Sequence, residues 1–178
     1  MLNKIVLAGF GGQGIIIAGK LLAISAMNEN KETTHFPSYG AEMRGGTCSC
    51  SVVVGDSLIA SPIIKNPDIA LIFNKPSKDK YEPIMKSNGI MILNNSLIED
   101  TSTRKDIKKY LIKASEIAEQ LGSVKSTNMV MLGALVKATS IIKLDSIINS
   151  LTIAFPNAKE NAIELNINAL KAGYNNLE

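Results

Sequence analysis

The chain of 178 residues is poor in the side chains that most often stack on bases or bind metals. It has no Trp, four Tyr, four Phe, one His and two Cys. Because single-stranded nucleic acid is held largely by stacking on aromatic rings, this scarcity argues against a single-strand nucleic-acid binder. Two cysteines also fall short of the roughly four ligands that a structural zinc site or an iron–sulfur cluster requires.

Long apolar runs and export features are absent from the sequence as well. No stretch approaches the about 18 consecutive apolar residues of a membrane-spanning helix. The first residues enter a strand pattern at once, without the layout of a signal peptide. Two cysteines without an export signal favour a reducing compartment. We therefore expect a cytoplasmic protein.

The composition suits a globular chain with a sizeable aliphatic core. Hydrophobic residues make up 46% of the sequence and the net charge is +3, so we expect a single domain over residues 1–178. The basic residues are spread out, and we interpret them as solvated faces, with an anionic partner as the alternative. Their two loose clusters are Lys75, Lys78 and Lys80, and Arg104, Lys105, Lys108 and Lys109.

The hydrophobic pattern alternates between strand-like and helix-like segments. Strands are predicted at residues 4–8, 32–36, 68–73, 89–93 and 109–112, and helices at 15–27, 115–121 and from about 128 onward. The runs 47–54 and 57–64, separated by Gly55 and Asp56, predict a β hairpin. This order predicts an α/β fold: a three-layer sandwich with a mixed, mainly parallel sheet and a helical C-terminal part at about 128–178.

The most informative motif is Gly9-Phe10-Gly11-Gly12-Gln13-Gly14, between the first predicted strand and helix. Strand, glycine loop and helix form the context in which such a loop cradles a phosphate. A dinucleotide site also needs an acidic residue about twenty positions on, at the end of the second strand. The chain has His35-Phe36-Pro37-Ser38 there. Three interpretations stay open: a nucleotide site, a packing turn, or a loop whose Gln13 amide contacts a ligand or another chain.

The remaining reactive side chains do not form a recognisable active site. Cys48 and Cys50 are two residues apart, so on a strand they point to the same face, and we expect them to act as small buried apolar residues. His35 has no Ser or Cys nucleophile in a recognisable context, which favours a structural role. By its own residues, the chain has no self-sufficient catalytic centre.

A second loop, Ser38-Tyr39-Gly40-Ala41-Glu42-Met43-Arg44-Gly45-Gly46, combines with the glycine loop into a more specific pattern. Together they resemble the γ subunit of 2-oxoacid:ferredoxin (acceptor) oxidoreductases, most closely its 2-oxoglutarate branch, with branched-chain and pyruvate enzymes as alternatives. The resemblance continues through residues 128–134 and 156–159 and covers nearly the whole chain. It differs from many members at Ala41, where Pro is common, and at Cys48, where a small residue is common.

The resemblance implies a non-catalytic subunit of a larger enzyme. Such a complex oxidatively decarboxylates a 2-oxoacid to an acyl-CoA and passes electrons to ferredoxin or a similar acceptor. It implies thiamine diphosphate, magnesium and iron–sulfur clusters on partner α, β and ferredoxin-like subunits, no cofactor in this chain, and coenzyme A as a shared contact. An isolated γ chain is expected to be inactive, and either to expose an apolar patch meant for its partners or to self-associate through it. The alternative is a self-contained Rossmann-like nucleotide- or flavin-binding protein.

The predicted site has no catalytic residue and no metal ligand. We expect the glycines to let the backbone approach a partner or a coenzyme A phosphate, and Gln13 to donate a hydrogen bond. Arg44 would bind a carboxylate or phosphate of the partner, or pair with Glu42 inside the loop, and Tyr39 would stack or hydrogen-bond in the same interface. The predicted cofactor-binding or subunit-interface residues are Gly9, Gly11, Gly12, Gln13, Gly14, Ser38, Tyr39, Glu42, Arg44, Gly45, Gly46 and Asn128.

Overall fold

A six-stranded mixed sheet forms the centre of the protein in a computed structural model that describes residues 2–38, 47–99 and 104–177. The strand order is β2-β3-β1-β4-β5-β6. The strands are β1 Leu2–Phe10, β2 Glu32–Ser38, β3 Thr47–Gly55, β4 Ile69–Ile72, β5 Ile90–Asn94 and β6 Lys108–Ile112. Strands β1, β4, β5 and β6 run parallel, whereas β3 is antiparallel to both β1 and β2.

The predicted hairpin of residues 47–54 and 57–64 is wrong. Strand β3 pairs with β1 over nine residues, from Leu2 opposite Gly55 to Phe10 opposite Thr47, and residues 57–64 form no strand. The buried strand β1 offers β3 a longer apolar ladder than a segment with Pro62, which lacks a backbone donor. The sheet is therefore mixed as predicted, but through a different pairing.

Six α helices occur among the described residues, lying on both faces of the sheet. They are α1 Ile15–Asn28, α2 Lys75–Tyr81, α3 Ala114–Gln120, α4 Thr127–Thr139, α5 Leu144–Ala154 and α6 Glu160–Asn175. Short 3-10 turns span Glu82–Ile84 and Val124–Ser126. One face packs against α1, α3, α4, α5 and α6, and the other against α2 and the turn that follows it. The predicted α/β fold class is confirmed.

Helix α4 lies at the centre of the larger layer. All residues from Thr127 to Val136 are buried, as its continuous apolar sequence predicts. The backbones of α4 and α6 are in contact where the two helices cross, and Gly133 and Gly173 allow this approach. A Cβ at Gly133 would collide with the Leu170 carbonyl, and a Cβ at Gly173 with the Val130 carbonyl. This crossing fixes the C-terminal helix on the sheet.

Element boundaries differ from the predictions where local turn chemistry decides them. Strand β2 extends beyond its predicted end at residue 36 and includes Pro37, because an edge strand tolerates a missing donor. Helix α3 begins at Ala114, one residue before its predicted start, with Lys113 as its cap residue. The Ser115 hydroxyl accepts from Asn94 Nδ2 at 2.9 Å. Up to residue 177, the predicted helical part from about 128 onward consists of three helices, and Pro156 lies between α5 and α6, four residues before α6.

Candidate functional site

The glycine loop after β1 is closed by Gln13. The Phe10 N–H donates to Gln13 Oε1 at 2.6 Å, and the Gln13 N–H donates to the Phe10 carbonyl at 3.3 Å. The side-chain oxygen is thereby engaged inside the loop, so Nε2 is the atom of this amide that is left to donate outward. Gln13 is half-buried.

Asn128 joins the same loop from α4. Its Nδ2 donates to the Gly14 carbonyl at 3.3 Å and its Oδ1 accepts from the Met129 N–H at 3.0 Å. Gly14 has a φ of 72°, a left-handed conformation that favours glycine, and a Cβ at this position would collide with Asn128 Nδ2. The structure thus brings together Gly14 and Asn128, which are 114 residues apart in sequence.

The glycines of the loop divide into inner and outer positions. Gly9 is buried, and a Cβ there would come within 2.5 Å of Gln13 Oε1 and 2.8 Å of Phe73 Cβ, so its role is close packing. Gly11 and Gly12 are exposed. Gly12 has a φ of 91°, and a Cβ added there would have no described atom within 4 Å. Gly11 and Gly12 are therefore the glycines of this loop whose backbone another molecule can reach.

The sheet topology weakens the dinucleotide interpretation. In a dinucleotide fold the strand after the first helix lies next to β1 and carries the ribose-binding acid. Here β3 separates β1 from β2, which moves the end of β2 about 10 Å from the end of β1 at the usual strand spacing. Ser38 ends β2, and on the other side of β1 the chain continues from β4 into Phe73 and Asn74.

Both ends of the second loop lie at the carboxyl edge of the sheet, beside the glycine loop. Ser38 ends β2 opposite Ser49, and Thr47 begins β3 opposite Phe10. The topology therefore brings the glycine loop and both ends of the second loop to one edge. Tyr39, Glu42, Arg44, Gly45 and Gly46 lie outside the described residues.

Two asparagines at this edge were not predicted as site residues. Asn74 caps α2 by accepting from the Ser77 N–H at 2.9 Å, and Asn94 donates to Ser115. Both side chains are almost fully buried, yet within the described part of the chain Asn74 Nδ2 and Asn94 Oδ1 have no hydrogen-bond partner. The sequence signal was an Asn at the end of each apolar strand run.

Both cysteines are buried, as predicted, and Cys50 lies against α1. Both belong to the larger core, and Cys50 Sγ donates to the Ile15 carbonyl at 3.6 Å. Burial raises the pKa of Cys50 to about 12 and also raises the pKa of Cys48. Thiols with raised pKa values are poor nucleophiles and poor redox groups at neutral pH.

His35 also packs against α1. A Cβ added at Gly19 would lie 3.2 Å from the imidazole ring, so this glycine permits the close approach. Burial lowers the pKa of His35, since a charged imidazolium is poorly solvated there.

Much of the charge in the two basic clusters is compensated nearby. Lys75 pairs with Asp79 at 2.8 Å, buried Lys78 pairs with Glu82 at 3.5 Å, and Arg104 pairs with Asp106 at 2.5 Å. Lys80 and Lys108 lie over the rings of neighbouring tyrosines. These contacts favour a structural role for both clusters over an anionic partner.

Neither a metal-binding cluster nor a membrane-spanning helix occurs in the described ranges. No three His, Cys, Asp or Glu side chains in residues 2–38, 47–99 and 104–177 come together as a metal-binding group. Within the same ranges, every helix is too short or too polar to cross a membrane.

The fold and the carboxyl edge define an α/β unit with a mixed six-stranded sheet, whose glycine loop is bonded to its own Gln13 and to Asn128. The family model for pyruvate ferredoxin/flavodoxin oxidoreductase matches residues 4–176. The chain belongs to this family.

Its relatives include both long and short proteins. The chain is 35% identical over 172 residues to ketoisovalerate oxidoreductase subunit VorA of Methanothermobacter marburgensis; the match covers 96% of this chain but only 35% of VorA, about a third. It is 36% identical over 177 residues to 2-oxoglutarate synthase subunit KorC of Methanocaldococcus jannaschii, and the match covers 98% of this chain and 93% of KorC. The solved structure of a keto/oxoacid ferredoxin oxidoreductase γ subunit from Geobacter sulfurreducens matches with a TM-score of 0.83 at 25% identity. This match covers 97% of this chain and 96% of the Geobacter chain.

Proposed function

We propose that this chain is the γ subunit of an enzyme complex that oxidatively decarboxylates a 2-oxoacid to an acyl-CoA and passes the electrons to ferredoxin or a similar acceptor. The family match over residues 4–176 supports this proposal. So does the similarity, over nearly their whole lengths, to proteins named as subunits of such enzymes. In VorA the same unit is part of a longer polypeptide, as expected for a unit that acts beside a larger partner.

The role within the complex is non-catalytic, and the closed glycine loop is the observation that carries this assignment. Gln13 and Asn128 occupy the inner side of the loop with hydrogen bonds to Phe10 and Gly14. The outer side offers the exposed backbone of Gly11 and Gly12. That arrangement suits contact with a partner surface, or with a coenzyme A phosphate brought by the partner, since backbone N–H groups at a helix N-terminus attract anions.

Arg44, Tyr39 and Glu42 complete the proposed contact surface from the second loop, with Ser38, Gly45 and Gly46. The positions of Ser38 and Thr47 support this part of the proposal, because both ends of the loop lie at the carboxyl edge of the sheet and Thr47 pairs with Phe10 of the glycine loop. Thiamine diphosphate, magnesium and the iron–sulfur clusters are assigned to the α, β and ferredoxin-like subunits. Thiamine diphosphate supplies the carbanion chemistry of decarboxylation there.

The proposed substrate is 2-oxoglutarate, which is converted to succinyl-CoA. The similarity to KorC supports this choice, while VorA, named for ketoisovalerate, is nearly as similar. Substrate contacts are expected mainly on the other subunits, so an assay of the complex decides between these acids.

The deciding experiment is co-expression of this chain with candidate α, β and ferredoxin-like subunits, followed by assay of CoA-dependent acceptor reduction with 2-oxoglutarate, pyruvate and ketoisovalerate in parallel. We expect a stable complex that is active on 2-oxoglutarate, and no activity from this chain alone. Failure to assemble, or activity that is unchanged when this chain is omitted, would contradict the proposal.

Two substitutions at Gln13 refine this experiment. Gln13→Glu keeps an oxygen to accept from Phe10 N–H but removes the amide donor, whereas Gln13→Ala removes both. If Nε2 contacts a partner or coenzyme A, both variants lose activity in the complex. If Gln13 only closes the loop, Gln13→Glu behaves like the wild type and Gln13→Ala lowers the free energy of unfolding by about 1 kcal/mol.

A further inference from the structure

The segment of residues 57–66, between β3 and β4, exposes large apolar side chains. Leu58 is 88% exposed and Ile63 is 64% exposed. Ile63 lies where two separate concavities of the surface meet. We call the surface around it, formed by Phe36, Ile63, Lys4, Lys65 and Lys86, the Ile63 face.

The first concavity, of 390 Å³, is basic. Lys4, Lys65 and Lys86 line it together with Ile63. Asp68 accepts from Lys86 Nζ at 2.5 Å and from the Lys4 backbone N–H at 2.9 Å, so this carboxylate compensates one of the three lysines. Within the described part of the chain, Lys4 and Lys65 form no ion pair of their own. The concavity therefore carries an excess of positive charge.

The second concavity, of 190 Å³, lies between Ile63 and strand β2 at the edge of the sheet. Phe36 of this strand is 52% exposed, and nearly buried Tyr81 lines the same concavity. Ser38, Ser49 and Ser51 add hydroxyl groups to the lining. An apolar centre with a polar rim is the usual anatomy of a protein–protein interface.

Resting on the function proposed above, we propose that the Ile63 face docks another subunit of the complex, through a partner surface with an apolar centre and carboxylates opposite Lys4 and Lys65. Two exposed apolar side chains, Phe36 and Ile63, favour a protein partner, and the uncompensated lysines favour an acidic one.

Other occupants fit the Ile63 face less well. A second copy, related by a two-fold axis, would bring the same lysines of both chains to one interface, where like charges repel. A small anion would meet only surface lysines, without buried donors to hold it.

The basic concavity of this face is separate from the glycine loop, whereas the second concavity extends to Ser38 at the carboxyl edge. Lys4 and Phe10 lie six residues apart on β1, which corresponds to about 20 Å along a strand. A partner that covers both surfaces would contact the sheet near its two ends. Loss of one contact would then weaken assembly without abolishing it.

The test compares two variants on the face with two matched controls on the opposite layer. The variants are Ile63→Asp and Lys65→Glu; the controls are Ile153→Asp on α5 and Lys171→Glu on α6, both at exposed positions. Each chain is co-expressed with the α, β and ferredoxin-like subunits, and its dissociation constant from them is measured. We expect each face variant to bind about tenfold more weakly and the controls to bind like the wild type. The loss of affinity caused by Lys65→Glu should be smaller at about 500 mM NaCl than at about 50 mM NaCl, because salt screens exposed charges.

The outcomes separate the docking surface from the proposed function. Wild-type affinity in both face variants overturns the docking surface and leaves the proposed function standing. No binding by the wild-type chain overturns both. A wild-type homodimer that Ile63→Asp dissociates, with subunit binding unchanged, assigns the face to a second copy and overturns the proposal. Thermal unfolding checks that each variant is folded, and because Lys65 is exposed, Lys65→Glu stays decisive if Ile63→Asp does not fold.

Discussion

At the residue scale, the glycine loop depends on side chains from two distant parts of the sequence. Gln13 closes the loop from within, and Asn128 reaches it from α4. The role of Gly14 follows from both its backbone conformation and its neighbour, whereas Gly12 has the conformation alone. Substitutions at these two positions therefore distinguish the cost of a left-handed backbone from the added cost of a collision with a side chain.

This difference gives a stability prediction. Gly12→Ala should lower the free energy of unfolding by about 1–2 kcal/mol, the cost of a left-handed conformation for a residue with a Cβ. Gly14→Ala should cost more, because Asn128 must also move. Denaturant unfolding of both variants measures the difference. Equal destabilisation would mean that the contact between Gly14 and Asn128 contributes nothing beyond the backbone.

At the element scale, the turn after α2 is tied to the segment before β6 by one arginine. Arg104 donates to the carbonyls of Glu82 and Met85 at 2.8 and 3.1 Å, and its guanidinium pairs with Asp106. A hydrogen bond from Arg104, with a smaller contribution from Ser87, holds the pKa of Asp106 well below its usual range. The ionised carboxylate thus orders two chain segments that lie about 20 residues apart in sequence.

The lowered pKa of Asp106 predicts a pH dependence. Its ionised form is favoured in the folded state, so its contribution to stability is present above the unfolded pKa of about 4 and is lost as the pH falls below it. Asp106→Asn should be less stable than the wild type at pH 7, and the difference should shrink toward pH 2. Denaturant unfolding at several pH values measures this, and a constant difference would show that ionisation of Asp106 is not involved.

Elements with a strong local pattern could be predicted from the sequence, and strand pairing could not. The sequence of α4 is apolar on nearly all sides, and a helix of this kind is buried on all sides. The ten residues from Thr127 to Val136 are indeed all buried. The choice of β1 as the partner of β3 depends on a register between residues about 45 apart, which a local turn signal at Gly55 and Asp56 cannot reveal. Asn128 was found only through the family resemblance, since its contact with Gly14 is even more distant in sequence.

At the scale of the whole molecule, the position of β3 distinguishes this unit from a dinucleotide-binding domain. The strand lies where such a domain places its ribose-binding strand. The same glycine motif therefore occurs here in a sheet that is suited to a different contact.

A binding experiment tests this distinction directly. The isolated chain should bind neither NAD nor flavin nucleotides tightly, because no acidic residue ends β2 to hold the ribose hydroxyls. Isothermal titration calorimetry with each nucleotide provides the measurement. Binding at about micromolar affinity, near −8 kcal/mol, would favour the self-contained nucleotide-binding alternative over the subunit assignment.

The closure of the glycine loop by Gln13 also has a thermodynamic consequence for assembly. A loop that is already fixed by internal hydrogen bonds loses little conformational entropy when another surface meets it, so more of the contact energy remains as affinity. Such a preorganised loop is expected to bind with little structural change, as a rigid surface does. The hydrogen bond between Phe10 and Gln13 thus completes part of the ordering that association requires before any partner arrives.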